Sequence, residues 1–197
     1  MLKSSDRDKA KEFVFVDGGV TMYNNPAFQM FLMATLDRYW TRKLEARWRP
    51  GVQEMLIVSV GTGTSPNAQD GLEPDEMNLL FNARTIPSAL MFAALNEQDL
   101  LCRVFGNCLV GDPIDRELGD LVGSAGSLQR GDKLFTYLRY NAELTREGLD
   151  GLGCPDVEPR AVQKLDSIDG IPDLQRVGRR VVETKLRAQH FDGFPPS

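Results

Sequence analysis

The chain is poor in the residues on which most hydrolases and metalloproteins depend. Its 197 residues include one histidine, His190. A Ser-His-Asp triad would have to use it, because the triad relays its proton through an imidazole. His190 lies beyond the last helical pattern, where a surface position is expected. Cysteine is scarce, with only Cys102, Cys108 and Cys154. An odd, sparse set builds no disulfide framework and points to a reducing compartment. With a single histidine it also fails to make a common zinc site, so no metal and no cofactor is expected. The longest apolar run, residues 89–95, is far shorter than the ~20 residues that span a bilayer. The opening MLKSSDRDKAKE has no signal-peptide hydrophobic region, and a cytoplasmic location is the expectation. Basic charge is in deficit: 23 Lys and Arg against 28 Asp and Glu give a net charge of −5. That excludes nucleic acid as the main partner, since phosphate backbones select a basic face. It also disfavours a strongly electrostatic membrane anchor.

What is present is ordinary for a soluble domain with its own core: 42% hydrophobic and 26% charged residues. Residues 1–12 read as a flexible, solvated lead-in. Residues 13–16 are a continuous apolar run, the pattern of a strand covered on both faces. Asn25 is a good N-cap and Pro26 a good first helical residue, and the spacing predicts a helix over 26–40. Pro50-Gly51 marks a turn before a second buried strand at 55–60. A polar loop is expected at 65–76, then a helix over 85–105, an irregular Gly- and Asp-rich stretch at 111–132, and an alternating third strand at 134–140. Short helices near 145–152 and 160–166 and a final helix over 172–189 complete the domain, with 191–197 as a frayed tail. Strands alternating with helices favour an α/β fold. Three strands make a thin sheet with an unpaired edge, which folded proteins avoid. Part of the sheet is therefore expected to come from residues outside the chain or from another chain.

Four motifs invite chemistry. In FVFVDGGVTMYNNPA, residues 13–27, a strand delivers Asp17 into the Gly18-Gly19 turn. That is the C-terminal edge of a sheet, where α/β proteins keep their sites. The glycines leave the carboxylate open to close approach. An aspartate is a weak base, with a reference pKa of about 3.9, and acts as a general base when burial raises that value and the proton donor touches it. An Asp-Gly turn without a catalytic role is the plainer reading of the tripeptide alone. Gly61-Thr62-Gly63-Thr64 follows a strand but is continued by neither Gly-Lys-Ser/Thr nor a correctly spaced third glycine, so it reads as a tight turn rather than a nucleotide loop. Gly123-Ser124-Ala125-Gly126-Ser127 is out of register for Gly-x-Ser-x-Gly and follows no strand. Arg130-Gly131-Asp132 is a chance tripeptide in such a chain.

Two of these segments together resemble the patatin-like phospholipases. FVFVDGGVTMYNNPA is similar to the family's strand, its Asp-Gly-Gly block and the Asn-Asn-Pro that opens the next helix. MLIVSVGTGT, residues 55–64, is similar to the strand and Gly-Thr-Gly turn that follow that helix. LFTYLRYNAELTREGLDGLG, residues 134–153, resembles C-terminal regions of the bacterial members. The resemblance covers nearly all of the chain after residue 12. It implies an incomplete three-layer αβα fold: the C-terminal part of the patatin-like sheet with its flanking helices, over residues 13–190. It implies a serine lipid acyl hydrolase with a Ser-Asp dyad, acting on phospholipids or other fatty-acyl esters at a peripherally contacted membrane. Asp17 maps to the dyad's general base, with Gly18 and Gly19 supporting it. The nucleophile elbow and the glycine-rich oxyanion loop have no counterpart in the chain, so the isolated chain is expected to be inactive. Self-association or a complementing N-terminal segment is the expected partner. The alternative is a non-catalytic interaction or regulatory module on a degenerate hydrolase scaffold.

Overall fold

The computed structural model describes residues 2–4, 11–13, 18, 21–40, 47–64, 79–124, 130–164 and 168–194. The described architecture is mixed α/β. Two short strands near the N-terminus, β1 (Leu2–Ser4) and β2 (Lys11–Phe13), pair antiparallel, with Leu2 opposite Phe13. The lead-in thus carries a ladder that its polar sequence does not announce. Residues 14–16, the rest of the expected strand, and Asp17 after it lie outside the described residues.

The central feature is a three-stranded parallel sheet built from β3 (Leu56–Val60), β4 (Asn107–Val110) and β5 (Thr136–Tyr140), in the order β3-β5-β4. β5 lies in the middle and all five of its residues are buried. Its sequence was expected to alternate. A central parallel strand is covered on both faces, so alternation is not required of it. β3 alternates instead: Ile57 and Ser59 are buried, while Val58 and Val60 are 43% and 73% exposed. Among the described residues, no strand pairs with the outer edge of β3. β4 is four residues long and slips register between Cys108 and Val110.

Helix α1 (Ala27–Thr35) covers the buried face of β3. Phe31 stacks against Phe135 with ring centroids 4.8 Å apart, and Phe28 meets Phe105 at 5.7 Å. Phe28, Phe31 and Leu32 of this helix therefore belong to the core, whereas Leu36 and Tyr39 beyond it are exposed. Helix α2 (Leu79–Phe105) is longer than its sequence suggests, beginning eight residues before Pro87. Lys133, buried, closes its C-terminus: Nζ donates to the carbonyls of Val104 at 2.5 Å and Arg103 at 3.4 Å. A lysine there satisfies carbonyls that lack a helical partner.

A second core forms beyond the sheet, where α3 (Arg146–Gly151), α4 (Pro159–Val162) and α5 (Ile171–Lys185) gather Leu149, Val157, Val162, Val177 and Val181. Thr145 caps α3 through Gly148 N–H. A 3₁₀ turn, Ala188–Phe191, continues order into the expected tail; residues 195–197 lie outside the described residues. Among the described residues, no helix is long and apolar enough to cross a membrane.

Candidate functional site

All three parallel strands end on one side, and the chain leaves them through polar and glycine-rich turns: residues 61–64 after β3, Gly111 and Asp112 after β4, and Asn141 after β5. Crevices outside the carboxyl ends of parallel strands are where α/β sheets bind ligands. Two adjoining cavities, each of about 150 Å³, open there and share Thr64, Leu95, Arg139 and Asn141.

The first wall is the approach to α1. Thr21 donates both its N–H, at 3.0 Å, and its hydroxyl, at 2.9 Å, to the carbonyl of half-buried Gly18. Asp17 and Gly19 lie outside the described residues. After a 3₁₀ turn (Met22–Asn24) comes Asn25, only 3% exposed. Its Oδ1 accepts the N–H of Ala27 at 3.3 Å, so Asn25 caps α1 from just outside it. The same Oδ1 accepts from Ser59 Oγ at 3.1 Å.

The second and third walls are β3 and β5. Arg139, 5% exposed, donates from Nη1 to Ser59 Oγ at 2.8 Å. The chain Arg139–Ser59–Asn25 thus ties the central strand, the edge strand and the start of α1 together. Asn141 holds the turn after β3: its Oδ1 accepts Gly63 N–H at 3.0 Å and its Nδ2 donates to Thr64 Oγ1 at 3.0 Å. Gly63 has φ +106°, a region that glycine enters freely. At Gly61 a Cβ would overlap the Asn141 carboxamide. Backbone bonds from Gly61 N–H to Tyr140 O and from Thr64 N–H to Ala142 O, both 2.8 Å, extend the ladder past the strands.

The electrostatics of the two cavities differ. The cavity bounded by α2 contains a closed ion pair: Arg103 Nη2 donates to Asp99 Oδ2 at 2.6 Å and Nε to Oδ1 at 3.2 Å. Tyr137 donates its hydroxyl to Asp99 Oδ1 at 2.8 Å. Burial, then the neighbouring Asp99 charge, pushes that phenol well above its ordinary range. Arg103 Nη1 also holds the carbonyls of Asp112 and Asp120, at 2.8 and 2.6 Å. Lys185 at the end of α5 meets both Asp112 carboxylate oxygens at 2.6 Å. The cavity beside α1 has a single charged group among its described lining residues, Arg139.

The other candidates fall elsewhere. Gly123 and Ser124 sit in an exposed turn, and Ala125 through Ser127 lie outside the described residues. Arg130–Asp132 is a 3₁₀ turn. His190 is half-buried rather than free on the surface, with Nδ1 2.7 Å from the Tyr140 hydroxyl. The three cysteines are free and buried, and burial pushes the thiols of Cys102 and Cys108 up to about 12 and about 11. Thiols so shifted are poor nucleophiles. Among the described residues, no three His, Cys, Asp or Glu side chains gather to hold a metal ion.

Sequence reasoning missed Arg139 and Ser59. Ser59 is the lone polar residue of LIVSV and Arg139 the lone charged residue of TYLRY, and that was the readable signal. No family model, no curated protein and no solved structure matches this chain.

Proposed function

We propose that this chain supplies the base half of a patatin-like lipid acyl hydrolase, with Asp17 as the general base of a Ser-Asp dyad. The observation that carries this reading is the meeting of the two family-like segments. Asn25 of the first and Ser59 of the second share a hydrogen bond, and both segments line one cavity at the carboxyl ends of parallel strands. Gly18, one residue after Asp17, is tied to Thr21 in the same lead-in to α1.

In this reading the serine comes from a Gly-x-Ser-x-Gly elbow, a motif that these 197 residues do not contain. The serine oxygen adds to the ester carbonyl as Asp17 takes its proton. The alcohol then leaves with that proton, and water, deprotonated by the same carboxylate, releases the fatty acid. Oxyanion donors would come from the segment that brings the serine. The substrates are fatty-acyl esters such as phospholipids, reached from the cytoplasm by peripheral membrane contact. Fatty-acid release and fluorophosphonate labelling test the assignment on the chain by itself. Neither is expected, and a labelled serine within these residues would remove the need for a complementing segment.

A second reading, a non-catalytic interaction module on a degenerate hydrolase scaffold, is favoured by the exposed Val58 and Val60 on β3, whose outer edge pairs with no strand among the described residues. Retained partner binding, with no hydrolysis after an elbow-bearing segment is supplied, would decide for it.

A further inference from the structure

Arg103 on α2 and Arg139 on β5 are almost equally buried and very unequally partnered. Arg103 has a carboxylate and two carbonyls. Arg139 donates to one hydroxyl, that of Ser59, and among the described residues no carboxylate pairs with it. A guanidinium carries five N–H donors, and a buried cation without counter-charge is costly.

Asn25 presents the same imbalance. Because the backbone N–H of Ala27 must donate, the atom that accepts it is the amide oxygen. The other end is therefore Nδ2, and among the described residues it is buried without an acceptor. A third donor lies in the turn after β3. Thr64 Oγ1 accepts from Asn141 Nδ2, which leaves its own proton free to donate. Arg139, Asn25 and Thr64 line one cavity, from β5, from the lead-in to α1 and from the turn after β3. Gly61, with no Cβ, lets the Asn141 carboxamide and Arg139 Nη2 pack close against the turn after β3.

We propose that this cavity is an oxyanion subsite for a phosphate group, held by the Arg139 guanidinium, Asn25 Nδ2 and the Thr64 hydroxyl. A guanidinium fork alone fits a carboxylate as well as a phosphate. Donors converging from three walls match an anion with acceptors on several faces, which a tetrahedral phosphate has and a planar carboxylate lacks. The phosphate is either a phospholipid headgroup or a free phosphate or soluble phosphoester; the recognition chemistry is shared. This assignment does not rest on the hydrolase reading, and its test reads binding rather than turnover.

The test uses the chain with inorganic phosphate, followed by calorimetry and by thermal shift against chloride at matched ionic strength. Sedimentation with phosphatidylcholine vesicles, against phosphate-free galactolipid vesicles, separates the sources. Arg139→Met removes the cation but threatens folding. Asn25→Asp is nearly isosteric, keeps the acceptor for Ala27 and Ser59, and supplies an internal counter-ion. Gly61→Ala drives a methyl group into the Asn141 carboxamide and against Arg139 Nη2, displacing the guanidinium from its place in the cavity. Saturable phosphate binding, weakened at least tenfold in N25D and G61A with cooperative melting retained, supports a site for free phosphate or a soluble ester. Phosphatidylcholine-selective sedimentation lost in N25D, without free-phosphate binding, supports a headgroup site. The absence of both, or binding unchanged in N25D and G61A, overturns the assignment.

Discussion

Asp99→Asn should be among the most damaging single-atom-scale changes in the chain. The Asp99–Arg103 pair is almost fully enclosed, with side chains 7% and 2% exposed. Asp99 also accepts from the Tyr137 hydroxyl. Replacing the carboxylate by an amide leaves the Arg103 charge without compensation in a site that water scarcely reaches. Breaking one side of such a pair costs about 3–5 kcal/mol. For a domain of this size each kcal/mol moves Tm by ~2–4 °C, so D99N should melt ~6–20 °C below the parent. Urea unfolding followed by far-UV circular dichroism measures the loss directly. The pairing also predicts strong coupling: Arg103→Met in the D99N background should cost much less than in the parent, because the orphaned charge is then gone. The coupling energy should exceed ~2 kcal/mol. A D99N loss under 1 kcal/mol, or additive single and double variants, would refute the reasoning. It would also weaken the contrast on which the Arg139 assignment depends.

Two further outcomes follow from groups near the site. Cys102 and Cys108 keep their protons longer when folded than unfolded, since burial raises both above the ordinary 9.0. The sign is therefore set: stability is full below about pH 9 and falls as the pH rises toward 11 and 12. The expected loss from the two thiols is on the order of 2 kcal/mol by pH 10; a urea midpoint that stays flat from pH 8 to pH 10 would contradict it. His190→Ala removes the contact with the Tyr140 hydroxyl and should cost about 1 kcal/mol, while fatty-acid release by the complemented enzyme stays unchanged. A large loss of turnover at equal folding would favour a histidine-dependent mechanism over the dyad.

Much of the α/β layout was legible because long periodic segments carry it. β3, α3 and α5 fall within a few residues of their sequence patterns; α1 ends at Thr35, five residues short of its pattern, and Asp37–Tyr39 forms a separate 3₁₀ turn. β4 was not legible: NCLV is four residues between Gly106 and Gly111, too short to display a period, and only its pairing with β5 makes it a strand. The start of α2 was obscured by Pro87, since proline marks the first turn of a helix more often than its interior. Lys133 reads as a surface residue, and only its place beneath the last carbonyls of α2 explains its burial. The site was half legible. Glycines at 61 and 63 and the Asn25-Pro26 helix start stood out in the sequence. That Asn25, Ser59 and Arg139 form one hydrogen-bonded chain depends on β5 lying between β3 and β4, and strand order is not written in local pattern. Asp17, the residue the sequence singles out most sharply, awaits a functional rather than a geometric test.

That test is fatty-acid release by the chain complemented with an N-terminal patatin-like segment carrying Gly-x-Ser-x-Gly, comparing Asp17 with D17N at equal circular dichroism. The account predicts hydrolysis only when both parts are present, and a fall of roughly 10²–10⁴-fold in D17N, the range for loss of a general base. Hydrolysis by D17N close to that of the parent would contradict it.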